Sequence, residues 1–337
     1  MQGQREFIAY IHAFRGVAII LVMLTHLSPP EWLFYLVQNG TMFFVVISGF
    51  LFAHLFDPKL TTQQFLIGKT RNLLGPYVLS VLPGLFYIHA TQAPDNWVSY
   101  TILTVVTGTG HLNDAHWYIP FISLVFLSYP LLRILNKHPL ALITVAVIWL
   151  LIGAFTFRSL GNSNPFYNLL HFGGLFPAGM VVSKFREQIE DLGSRRFGII
   201  TAISIAGFLV AYSQIPPNHL SITVEQVLAK HLVAPNYVFI SKLLLIPAAL
   251  LILRRVIQWK FFYAPLALLA DTSFALFFWH MYVFEVLDYS LRYLAHGIPL
   301  PYGTIAMLKL LLCVAILVSS VLVLRRVFGR RSVYITG

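Results

Sequence analysis

Charge is scarce in this 337-residue chain: Asp, Glu, Lys and Arg together make up 10% of it, where a soluble domain carries about a quarter. Acids are scarcer than bases, 12 against 23, for a net charge of +11. Cysteine occurs once, as Cys313 inside an apolar run, which excludes a disulfide framework and a cysteine-based zinc site. Phosphate loops, Gly-rich nucleotide fingerprints and metal-ligand spacings are missing, so no metal is expected. No internal repeat of the kind that builds paired-half transporters is evident. What the chain does have is apolar residues, 58% of it, with a mean hydropathy of +0.77. That composition points to an all-α integral membrane protein. At about 20 residues per span, ten helices use about 200 residues, which leaves short loops and a single polytopic domain over residues 1–337 with no soluble domain. In a soluble protein the net positive charge would suggest nucleic acid. Here cytoplasmic loops enriched in Lys and Arg explain it, and no nucleic-acid partner is expected.

Apolar runs long enough to span lie near residues 8–27, 39–56, 72–91, 117–135, 139–157, 166–184, 197–213, 237–254, 263–287 and 303–325. The first carries Arg15 and ends at His26-Leu27-Ser28-Pro29-Pro30 without a small-residue cleavage pattern, so it reads as a retained helix and not a signal peptide. Pro76, Pro83, Pro177, Pro247 and Pro265 interrupt several runs, which membrane helices tolerate when neighbours satisfy the freed carbonyls. The stretch Val98–Gly108 is apolar but too short to cross, and either lies at the interface or re-enters. With the N-terminus inside, seventeen Lys and Arg fall in inward segments and three, Arg158, Lys230 and Arg292, in outward loops. Both termini are therefore expected in the cytoplasm, with an even number of about ten transmembrane helices.

Arginine in hydrocarbon is expensive, so Arg15 should face the protein interior or a wet cavity; the alternative is snorkelling at the inner interface. His26 follows eleven residues later. Eleven steps make three turns and about 20°, so the two share one face of the first helix, about 16 Å apart along its axis. His26 alone reads equally as an interfacial histidine, and the joint placement is what favours function.

In its order of motifs the chain resembles the membrane-bound acyltransferase-3 family, bacterial proteins that O-acylate cell-surface carbohydrates. The family's opening Arg, ten residues and His is matched by Arg15 to His26. Gly40 and Phe44 lead to Ser48-Gly49-Phe50-Leu51, although Met42 and Val45 depart from the family's polar residue and second Phe. Arg71-Asn72-Leu73-Leu74-Gly75-Pro76-Tyr77 is similar to the family's Arg-Leu-Leu-x-Pro-Tyr, with Gly68 where a second Arg is common and Lys69 beside it. His116-Trp117-Tyr118 resembles the segment entering helix four, and Ser273 to His280 the Ser-aromatic-His pattern of a late helix.

The resemblance implies acyl transfer, usually from acetyl-CoA, to a hydroxyl of an extracytoplasmic or lipid-linked carbohydrate at the bacterial cytoplasmic membrane. No permanently bound cofactor is expected; acyl-CoA is a substrate. Such chemistry needs a group that takes the hydroxyl proton and a cationic grip on the donor. His26 and Arg15 are the catalytic candidates, His26 as general base or as transient acyl carrier. Arg15, Arg71, Lys69 and Tyr77 are candidates for donor binding, the cations through charge-assisted bonds to phosphate. His116, Trp117, Ser273 and His280 are candidates for the acceptor, with His171, Trp32, Trp97 and Trp279 as aromatic-belt residues or part of the same vestibule. Ser48 reads as a packing residue, and Lys242 and Lys309 as snorkelling lysines. Asp271 and Glu285 are intramembrane acids and so suspects. Many relatives carry a fused extracytoplasmic hydrolase-like domain, so this chain is expected to work alone or with a separate extracytoplasmic transfer protein. The alternative is a transporter or flippase in which Arg15, His26, Lys309 and Glu285 line a path.

Overall fold

Without water, a backbone satisfies its N–H and C=O groups within its own segment by forming helices. The computed structural model describes residues 8–38, 40–92, 95–109, 114–156, 164–215, 235–294, 301–332 and 335; Arg5, Arg158 and Lys230 of the charge census lie outside them. The helices are α1 (Ala9–Thr25), α2 (Glu31–Val37), α3 (Gly40–His54), α4 (Thr62–Lys69), α5 (Gly75–Gln92), α6 (Trp97–Thr107), α7 (Tyr118–Leu127), α8 (Tyr129–Lys137), α9 (Pro139–Phe155), α10 (Pro165–Phe172), α11 (Leu175–Lys184), α12 (Arg186–Arg195), α13 (Phe197–Ser213), α14 (Tyr237–Val256), α15 (Lys260–Leu294) and α16 (Tyr302–Phe328). No strand occurs among the described residues.

Five stretches are long and apolar enough to cross a bilayer: Trp32–His54, Thr62–Gln92, Tyr237–Val256, Lys260–Leu291 and Tyr302–Phe328. Two bent pairs, Ala115–Leu127 with Tyr129–Lys137 at 60° and Arg186–Arg195 with Phe197–Ser213 at 97°, bring the number to seven if each is one span. Ala9–Thr25, Trp97–Thr107, Pro139–Phe155 and Leu175–Lys184 are shorter apolar helices. The described residues are thus all-helical, with the apolar helices of a multi-pass membrane protein. Val98–Gly108 forms α6, which ends at Gly108 in the left-handed conformation, φ 71°. A Cβ there would also strike the His116 carbonyl, so glycine is required on both counts.

α1 is the core helix. Phe14, Ala18, Ile19 and Met23 are wholly buried, against α15 on one side and α3 on another. α3 and α11 cross on reciprocal glycines, with Gly49 against the carbonyl of Phe176 and Gly179 against that of Val46, as small residues allow in membranes. Where Pro247 interrupts α14, Ser204 of α13 inserts its hydroxyl. It donates to the Leu244 carbonyl and accepts from the Ala248 N–H at 3.1 Å, standing in for the i to i−4 bond opened there. α16 returns antiparallel to α15.

The helix ends fall into two groups. At one end, Tyr10 and Arg254 both bind Glu190 (3.0 and 3.1 Å), while His12 binds the Asp271 carboxylate at 3.0 Å and Arg325 its carbonyl at 2.7 Å. Lys184 reaches the Asn136 carbonyl at 2.6 Å and Arg133 that of Pro58 at 2.8 Å. At the other end, Tyr212 meets the Trp32 carbonyl at 2.5 Å, Tyr302 the carbonyls of Leu27 and Ser28, and Asn236 Nδ2 that of Thr156 at 3.2 Å.

Three expectations from the sequence need correction. The helix carrying Arg71 begins at Thr62, where Thr61 and Gln64 form a capping box. Arg71 therefore lies inside a continuous helix, in the π-turn Thr70–Leu74, upstream of Pro76, which lacks the N–H that would keep the register. Lys242 does not snorkel: it is 1% exposed, with Nζ 5.6 Å from the centre of the Phe208 ring. Lys309 is paired with Asp288 at 2.6 Å.

Candidate active site

The interface of α1 with α15 gathers the residues that the sequence singled out most strongly. Arg15 points along it, with Cζ 4.5 Å from the centre of the Phe274 ring, a cation–π contact. Tyr118, Asp271 and Arg325 are its electrostatic neighbours. Ser48 of α3 is an electrostatic neighbour of the Tyr118 hydroxyl, as Arg15 is. Gly16 lies against the Leu266 carbonyl, so the two helices approach closely just beside Arg15.

His26 closes α1 at its other end, its N–H bonded to the Met23 carbonyl at 3.1 Å. Its ring lies 5.3 Å from that of His280, at 54°. Tyr302 clamps the carbonyls of Leu27 and Ser28, and so holds the start of α16 against the histidine pair. Lys309 and Asp288 meet nearby, with Lys309 Nζ 5.6 Å from the Phe284 ring centre and Phe284 in turn 5.7 Å from His280. Between the levels of Arg15 and His26 stands Phe277, one turn beyond Phe274 and one before His280. It contacts Tyr118 and Phe44 at ring separations of 5.5 and 6.5 Å. Arg15 and His26, both partly buried, thus turn toward α15, with aromatic side chains between their levels.

The remaining candidates are spread more widely. His116 is fully buried, and its Nε2 lies 3.2 Å from both the Ser80 hydroxyl and the Phe278 carbonyl. Because the carbonyl only accepts, Nε2 carries the proton, and the ring ties α5 to α15. Tyr77 is buried with its hydroxyl on the Val105 carbonyl at 2.7 Å. Trp117 stacks on Phe172 at 5.4 Å, and Ser273 bonds the Ala270 carbonyl of its own helix at 2.8 Å. Lys69 lies over the rings of Phe65 and Phe126, 5.4 and 4.6 Å from their centres. Arg71 is exposed, with Nε on Asn72 at 3.2 Å. His171 bonds the Thr156 carbonyl at 2.9 Å, and Glu285 is exposed.

Tyr118, Asp288 and Tyr302 belong to this site and escape a reading of the sequence for sites. Tyr118 sits inside the His-Trp-Tyr segment, whose position was the available signal. Asp288 and Tyr302 gave none, since their partners lie on other helices. Among the described residues no three His, Cys, Asp or Glu are grouped to hold a metal ion.

A family model described as an acyltransferase domain, that of acyltransferase-3, matches residues 8–324. No curated protein and no solved structure matches the chain.

Proposed function

The chain belongs to the acyltransferase-3 family and is a membrane acyltransferase; on that premise we propose that it moves an acyl group, most simply acetyl, from cytoplasmic acyl-CoA to a hydroxyl of an extracytoplasmic or lipid-linked carbohydrate. The observation that carries this reading is the placement of Arg15 and His26 on one face of α1, each packed against the same partner helix through Phe274 and His280. We assign ten spans with both termini in the cytoplasm, in the cytoplasmic membrane of a bacterium. The connected ends of the inward segments support that assignment: Arg133, Lys184, Arg254 and Arg325, from four of them, make contacts at one end of the bundle.

His26 takes the acceptor hydroxyl proton as the oxygen attacks the thioester carbonyl; the C–S bond then breaks and the proton passes to the departing thiolate. Arg15 stands about 16 Å from His26 along α1. That separation favours gripping the donor over polarising the reacting carbonyl. Arg71, exposed in the π-turn, is better placed for the donor's phosphates than Lys69, whose ammonium is engaged by two rings. The donor's acyl arm would enter past Phe277 and Phe44, and the acceptor would approach from the end marked by Tyr302.

Purified protein in detergent, given labelled acetyl-CoA and candidate surface sugars, tests the proposal. Wild type should transfer label, and His26→Ala should lose about 10²–10⁴-fold of the rate while keeping its helical content and elution volume. No transfer and no thioester hydrolysis by wild type would remove the reading.

A further inference from the structure

His280 has no exposed surface and presents two different nitrogens. Nδ1 lies 2.8 Å from the Leu276 carbonyl oxygen and 3.1 Å from that of Phe277. Carbonyls only accept, so Nδ1 carries the proton and Nε2 of the neutral ring is left with a lone pair. That Nε2 is buried and has no hydrogen-bond partner among the described residues. A buried acceptor without a donor is destabilising, which calls for an explanation beyond packing.

Its surroundings narrow the choice of donor. Phe284 faces the ring edge-on at 5.7 Å and offers no polar hydrogen. The thiol of Cys313 is turned to the His280 carbonyl at 3.8 Å. Lys309, the nearby cation, is paired with Asp288. Among the described residues, the polar ring in contact with that of His280 is His26, 5.3 Å away between centroids. At that separation a change in the imidazole torsion, which is broad, brings facing ring nitrogens within hydrogen-bonding reach. Such bonds often tighten only once substrate is in place.

We infer that His280 is a positioning residue for His26: its Nε2 accepts a hydrogen bond from one ring N–H of His26, leaving the other His26 nitrogen unprotonated and aimed at the acceptor hydroxyl. When that nitrogen takes the hydroxyl proton, the C–O bond to the acyl carbon forms, the C–S bond breaks, and the thiolate recovers the proton. His280 stays neutral throughout and holds the cationic His26 ring in place. The inference rests on the acyl transfer proposed above, and deepens it by giving His280 work on the base in place of contact with the acceptor.

Two substitutions separate this role from packing. His280→Asn keeps a donor near the Leu276 and Phe277 carbonyls but leaves no acceptor at the Nε2 position, whereas His280→Gln can place an amide oxygen there. In the full-length protein, His280→Asn should lower kcat at least tenfold with KM for acetyl-CoA unchanged, and His280→Gln should recover a substantial part. If His26→Ala is inactive while His280→Asn keeps wild-type kcat, the inference is overturned and the acyl-transfer reading stands. Equal losses in Asn and Gln variants, alongside equal losses of thermal stability, would also overturn it by showing a packing role. Absence of transfer by wild type would end both.

Discussion

At the scale of single residues, the Lys309–Asp288 pair shows how the bundle handles a charge in its interior. The lysine side chain is 11% exposed and the acid 36%, so each charge is partly desolvated and relies on the other. Asp288→Leu leaves the ammonium beside Phe284 without a counter-charge. It should lower the thermal midpoint in detergent, by an amount corresponding to about 1–3 kcal/mol. Adding Lys309→Leu should return most of that loss, and a double variant no more stable than the single one would show that the pair is not what matters. Arg15 and His26 were legible in the sequence because an ionisable residue in an apolar helix is costly and seldom kept without a use. The Lys309–Asp288 pair was not, because it joins two helices whose neighbourhood is set by packing and not by spacing along the chain. Ser48 was read as a packing residue, and its neighbour Gly49 does stand at a tight crossing against the Phe176 carbonyl.

Elements are held at their crossings by small groups placed against backbone. Gly49 faces the Phe176 carbonyl, and a side chain there must push α3 and α11 apart. Gly49→Val is expected to destabilise by about 1–3 kcal/mol, read as a lowered midpoint of thermal unfolding, and an unchanged midpoint would contradict the crossing. Ser204 bridges the broken turn at Pro247, so Ser204→Ala should cost about 1–3 kcal/mol by leaving the Leu244 carbonyl and Ala248 N–H unsatisfied. Pro247→Ala lets that turn close on itself. The double variant should therefore lose less than Ser204→Ala alone, and simple additivity of the two losses would contradict the bridging role. Helix positions followed closely from the apolar runs, since each run falls on one or two helices. The start of the helix at Thr62 was missed because Thr62–Lys69 is polar enough to hide from hydropathy, although its Thr61–Gln64 capping box was there to be read.

At the scale of the whole molecule, the grouping of basic residues at one end of the bundle and of Tyr302, Tyr212 and Asn236 at the other supports the proposed topology. Replacing Cys313 by Ala gives a background without cysteine. In it, Asp95→Cys should react with an impermeant maleimide in intact cells, while Lys59→Cys and Arg195→Cys should react only after permeabilisation. Labelling of Lys59→Cys and Asp95→Cys from the same side would contradict ten spans with both termini inside.

On the proposed function, a donor gripped near Arg15 and a base at His26 would require the acyl group to cross between levels of one helix pair. Proteoliposomes with labelled acetyl-CoA confined to the side bearing Arg71, and the sugar acceptor to the opposite side, measure this directly. Label should reach the acceptor across the membrane with wild-type protein and not with His26→Ala. Transfer only when donor and acceptor share a side, or equal transfer by the two proteins, would contradict the account.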